Sequence, residues 1–165
     1  MAGLNDYDCE GTLVIGGVSM NRPAWGVFGD EQGDGALMGL ITNITQRGED
    51  RVLPYANGVI AYPRRNTVTT HELRLLVVGD VDDSGAAVAD HAAGLTNNLQ
   101  YIMANVVAPV ASTTGTRSAT YTPPDGTPLT ADIHVVGLSQ TRYWAGTNAI
   151  WAGRLRISIP AGAFT

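Results

Sequence analysis

The sequence predicts a mainly β protein with one α-helix, an α+β domain, and three observations carry that reading. The closing segment, Ala149 to Ile159, sets Leu155, Ile157 and Ile159 on one side and Arg154, Arg156 and Ser158 on the other, the period of a strand with one wet face. Two turn signals, Gly16-Gly17 and Pro123-Pro124-Asp125-Gly126, each lie between runs that read as strands. Only around Leu95, Leu99, Ile102, Met103 and Val106 do apolar residues recur at spacings of four and three, the stripe of a helix packed on a sheet.

Taken in order, residues 1 to 10 are polar and read as an N-terminal arm. Thr12 to Met20 forms a hairpin about the double glycine, which supplies the positive φ angles of a two-residue turn. Residues 24 to 39 hold five glycines and no period, and read as a loop anchored by Trp25 and Phe28. Leu40 to Thr45 alternates and reads as a short strand. From Gln46 the chain is exposed, with Pro54 unable to donate to a ladder and Asn57-Gly58 marking a turn before Val59 to Tyr62.

Asn66 to Val78 is the clearest strand, and its second half, Leu73 to Val78, is apolar on both faces, which predicts a place at the centre of the sheet. A turn over 79 to 85 then leads into a helix over 86 to 106, with Asp83 or Ser84 as the expected cap. Asn97, Asn98 and Gln100 are expected off the apolar stripe, and Val107-Ala108-Pro109 ends the helix. Thr116 to Thr122 and Thr127 to Val136 make a second hairpin, with Ile133, Val135 and Gly137 on one face. Ser139 to Asn148 reads as a loop, and residues 160 to 165 as a C-terminal tail ending in an exposed Phe164.

With 165 residues the chain suits a single domain over 1–165 that needs no metal or disulfide. Cys9 is the sole cysteine, so no internal disulfide forms. All ten basic residues are arginine, the better interface cation, and the net charge of −5 opposes a phosphate-gripping protein. The acidic N-terminus lacks the basic start of a secretory leader, and no apolar run reaches the roughly 20 residues of a membrane span, so a soluble, untargeted chain is expected.

The candidate chemistry is sparse. His71, His91 and His134 have no metal-binding spacing and read as structural residues. Asp80 to Gly85 starts like a calcium loop, but the position needing a bidentate glutamate holds His91. The glycine-rich run before residue 40 matches no phosphate loop, and no lysine exists to complete one. Trp25, Trp144, Trp151, Tyr55, Tyr62 and Tyr143 suit core or subunit contacts better than a sugar-binding face. No catalytic residue, metal or cofactor is expected.

The order of these pieces resembles the tail-tube and distal-tail proteins of long-tailed bacteriophages of actinobacterial hosts. The matching segments are LVIGGVSM, RGEDRVLPYANGVIAYPRR, TTHELRLLVVGDVDDSG, AGLTNNLQYIMANV and the closing strand LRISIP, covering about residues 12 to 160. The resemblance implies a ring-forming β-sandwich or half-barrel flanked by a helix. Hexameric rings would stack into the DNA conduit of a non-contractile tail, in a virion assembled in the host cytoplasm. The implied partners are other copies of the chain, the tape-measure, terminator and distal-tail proteins, and viral DNA passing the lumen without specific binding.

A loop over 46–65 and the terminal arms correspond to elements that bridge rings in that family. Arg47, Glu49, Asp50, Arg51, Tyr55, Tyr62, Arg64, Arg65 and Phe164 are therefore the interface candidates. The four arginines among them are expected to meet acids such as Asp30, Glu31, Asp34, Glu49 or Asp50 of neighbouring copies. A distal-tail ring, a tail terminator and a sugar-binding tail-tip module using Trp25, Tyr143 and Trp144 are the alternatives.

Overall fold

Two glycines at positive φ, Gly16 at 58° and Gly17 at 84°, turn β1 (Thr12–Ile15) into β2 (Val18–Ser19), as the double glycine predicts. This hairpin opens one end of a seven-stranded, curled antiparallel sheet, a half-barrel seen in a computed structural model of the chain. The structure describes residues 11–29, 35–44, 46–47, 51–52, 59–60, 65–111, 113–124, 126–144 and 149–165. The remaining strands of the sheet are β3 (Trp25–Val27), β8 (Thr69–Val78), β9 (Arg117–Thr122), β10 (Leu129–Trp144) and β11 (Ile150–Ile159). Their order is β2-β1-β9-β10-β11-β8-β3, so β8 is sixth and β11 and β10 occupy the interior that the sequence assigned to β8.

Alternation decides the faces. Leu73, Leu75 and Val77 of β8 sit opposite Leu155, Gly153 and Trp151 of β11 on the inner face, and all are buried. Leu76 and Val78 occupy the outer face and are half-buried, so the strand is fully covered on one side and partly on the other.

The helix α2 (His91–Ile102) covers the inner face with Leu95 and Ile102, and continues through a π-helical turn, Met103–Val107, that buries Val106. It begins five residues later than expected. Asp90, not Asp83 or Ser84, is its cap, accepting the Ala92 and Ala93 amides on Oδ1 at 3.1 Å each. Asp82 instead closes the preceding turn, accepting from Ser84 N, Ser84 Oγ and Ala86 N. Asp83 pairs with Arg22 at 2.9 Å.

The buried stripe also differs from the expected one. Met103 is exposed, whereas Asn98 is buried and donates from Nδ2 to the Val78 and Val81 carbonyls, both at 2.9 Å. Backbone carbonyls at the strand end need donors, and a carboxamide supplies two where leucine supplies none.

Three further segments differ from the sequence reading. Residues 39 to 42 form a single helical turn, α1 (Gly39–Thr42), rather than a strand, and it packs Leu37 and Leu40 into the core. The loop expected over 24 to 39 contains β3, whose Trp25 is fully buried and stacks on Tyr101 at 5.6 Å. Phe164, expected exposed, is buried edge-on against Tyr121 at 6.4 Å, and Thr165 pairs its backbone with Thr130. An aromatic ring five residues beyond the end of the last strand gains more by covering the core than by facing solvent.

Two substitutions test this packing by chemical denaturation. Asn98→Ala strips two carbonyls of their donor and is expected to cost about 2 kcal/mol. Phe164→Ala removes a ring from the core and is expected to cost about 3 kcal/mol. Losses under about 0.5 kcal/mol in either would contradict the arrangement.

Candidate assembly surface

β10 is longer than the sequence suggested, running sixteen residues to Trp144 through the segment expected to be a loop. It reaches that length by bulging. Its pairing with β11 slips between Val135 and Gly137 and again between Gln140 and Arg142, leaving Val136 and Thr141 as extra residues. Each bulge resets the alternation. Ile133 and Val135 face inward, while Gly137, expected beside them, is turned to the outer face opposite Arg156.

On that outer face the register brings four arginines together. Gly137, Arg156 and Glu72 form one cross-strand row, Ser139, Arg154 and Arg74 the next, and Arg142 starts the row that continues through Ala152 and Leu76. The Glu72 carboxylate lies between two guanidiniums. Arg154 Nη1 donates to Oε2 at 3.0 Å, Arg156 Nε donates to Oε1 at 2.9 Å, and Arg156 Nη2 adds a further bond to Oε1. The hydrogen bonds from Arg156 and then Arg154 hold this carboxyl below the ordinary glutamate value. Arg142 lies over the Trp144 ring, its guanidinium carbon 5.1 Å from the centroid.

Because Gly137 has no side chain and Ser139 a short one, a recess of about 190 Å³ opens over β10, walled by Arg154, Arg156 and Glu72. A larger, shallow concavity of about 470 Å³ lies beside the C-terminal tail. Thr114, Thr116, Ser118, Thr130 and Thr165 line it with one acidic side chain, Asp132, and no basic side chain among the described residues. Among the described residues no cluster of histidine, cysteine and acids is arranged to hold a metal, and no helix is long and apolar enough to cross a membrane.

Two small ladders are not hydrogen-bonded into the main sheet. β4 (Gln46–Arg47) pairs antiparallel with β7 (Arg65–Asn66), and β5 (Arg51–Val52) pairs antiparallel with β6 (Val59–Ile60). The nested pairs Arg47 with Arg65 and Val52 with Val59 make 46 to 66 a hairpin-like excursion. Compared with known proteins, the chain matches no protein-family model and no curated protein.

The interface candidates divide accordingly. Arg47, Arg51 and Arg65 lie in the backbone ladders of the excursion. Glu49, Asp50, Tyr55, Tyr62 and Arg64 lie outside the described residues, as do the acids Asp30, Glu31 and Asp34. Phe164 belongs to the core and offers no surface. Trp25 is likewise unavailable to a sugar, and Tyr143 and Trp144, both exposed, point to opposite faces of β10. The outer arginine row was missed because Arg154 and Arg156 read as an ordinary wet face; only cross-strand register adds Arg74 and Arg142.

His71 is the one structural histidine with a distinct environment. It faces inward opposite Ile157, and its Nε2 is buried without a hydrogen-bond partner. Burial pushes its pKa below the ordinary histidine value. The folded state therefore holds His71 neutral while the unfolded chain takes up a proton as pH falls through about 6.5, so His71 makes stability fall with acidification. Denaturation midpoints at about pH 7.5 and about pH 5.5 should show that loss, and His71→Leu should reduce it. An unchanged pH slope in His71→Leu would refute the assignment.

Proposed function

We propose that the chain is a non-enzymatic structural protein that assembles with copies of itself, the major tail-tube subunit of a long-tailed phage particle. The observation that carries this reading is the 46 to 66 excursion. It pairs with itself, is not hydrogen-bonded into the main sheet, and lies at the place in the chain where the resembled family bridges one ring to the next. A two-stranded ribbon has little core of its own and gains stability by packing against another surface.

The main sheet supports lateral contact between copies. β9 pairs with β10 only as far as Ile133, and no described strand takes up the rest of that edge to Trp144. At the other side β3 covers β8 only over Leu75 to Val77, leaving Thr69 to Leu73 open among the described residues. One sheet with two open edges can join head to tail with its copies, and such a heterologous contact closes into a ring when the rotation permits. The proposed location is the virion, with DNA passing the channel unbound.

Negative-stain microscopy of concentrated protein is expected to show rings or tubes with a central channel. Because Arg47 and Arg65 are paired, replacing residues 48–64 by Asn-Gly closes the excursion as a tight two-residue hairpin without disturbing the main sheet. That variant is expected to keep its thermal unfolding and lose stacking. Tubes of normal length would remove the excursion from the reading, and a strictly monomeric wild-type protein would overturn the reading itself.

A further inference from the structure

Among the described residues the outer sheet face holds more arginines than acids. Arg74, Arg142, Arg154 and Arg156 share it with Glu72 and, by alternation along β10, with Asp132. The chain as a whole carries −5, so acids outnumber arginines in every copy. The best electrostatic partner for this face is therefore present on another copy of the same chain. A nucleic acid fits less well, since its phosphates meet the repulsion of the whole acidic subunit.

The acids also have a suitable spacing. In the segment Asn5-Asp6-Tyr7-Asp8-Cys9-Glu10, acids fall at every second residue. In an extended chain all three carboxylates lie on one side, roughly 6.8 Å apart, the same repeat that separates Arg154 from Arg156 on β11. β10 offers the edge on which such a strand can form: beyond Ile133 its β9 side has no strand partner among the described residues. Gly137 and Ser139 keep the outer face low between that edge and the arginines.

We propose that residues 5–10 of a second copy add as a strand to the open edge of β10, laying Asp6, Asp8 and Glu10 against the outer arginine face. Backbone hydrogen bonds supply the affinity, and the period-two charges fix which side of the strand faces the arginines. The contact is heterologous, so it propagates from copy to copy. It rests on the self-assembly part of the reading above and names one of its contacts.

A charge-reversal exchange tests it on the full-length chain. One variant carries Asp6→Arg, Asp8→Arg and Glu10→Arg, and the other carries Arg142→Glu and Arg154→Glu, with folding checked by circular dichroism. In sedimentation velocity each alone is expected to lose on the order of tenfold in association affinity, and an equal mixture of the two is expected to regain it. Wild-type association is expected to weaken in about 1 M NaCl, where the screening length falls to about 3 Å. Should the face variant fail to fold, a nitroxide on Cys9, the sole thiol, gives a second measurement. It should broaden the Trp144 indole signal of an unlabelled, isotope-enriched copy.

Broadening confined to the labelled copy's own Trp144 would place the strand within one chain and overturn the proposal. Variants that assemble like wild type would sink this contact and leave the assembly reading standing, whereas a wild-type monomer at all concentrations would sink both. Binding of a DNA duplex that is lost in the Arg142→Glu, Arg154→Glu chain would assign the face to nucleic acid instead.

Discussion

At the end of β8 two backbones meet with no side chain between them. A Cβ on Gly94 of α2 would lie 2.3 Å from the Gly79 carbonyl oxygen, and one on Gly79 would lie 2.0 Å from the His91 oxygen. Only glycine at both positions allows the helix to seat this deeply. Asn98, one turn further on, then reaches the Val78 and Val81 carbonyls and satisfies them. The helix position follows from that seat, and so does its cover of the inner face through Leu95, Ile102 and Val106. Tyr101 is brought over Trp25, and Arg22 stacks against both rings while pairing with Asp83.

The helix covers one face of the sheet only. All described helical elements, α1 and α2 with its π turn, contribute their buried residues to the single inner core, as does the C-terminal Phe164. The outer face of β10, β11 and β8 carries charges arranged around Glu72. The bulge at Val136 matters here more than its size suggests. Without it Gly137 would point inward and the outer face opposite Arg156 would carry a different side chain, closing the recess.

Open edges and a one-sided sheet are hazards for a protein meant to stay alone, and useful features for one meant to assemble. Bulges along β10 and the arginines beside it restrict which strands can add there, favouring an acidic one over an indiscriminate apolar one. The separate ladders of the 46 to 66 excursion fit the same logic, since their strands pair with each other and not with the main sheet.

Fold class was readable from local patterns: the Gly16-Gly17 hairpin, the alternation from Leu155 to Ile159 and the helical stripe each depend on residues close in sequence. Misreadings arose where distant partners override local preference. Leu40 to Thr45 alternates like a strand, yet no sheet edge takes up Gly39–Thr42, which coil into a turn over the core. Asn98 reads as a solvent residue until the carbonyls it caps are placed beside it. Phe164 reads as a loose end until Tyr121 covers it. By itself the sequence determined the period of each element and the signs of its charges. Only the tertiary structure decided which strands lie side by side, and so gathered Arg74, Arg142, Arg154 and Arg156 on one face, because cross-strand register is set by bulges and by packing against a helix that no local window contains.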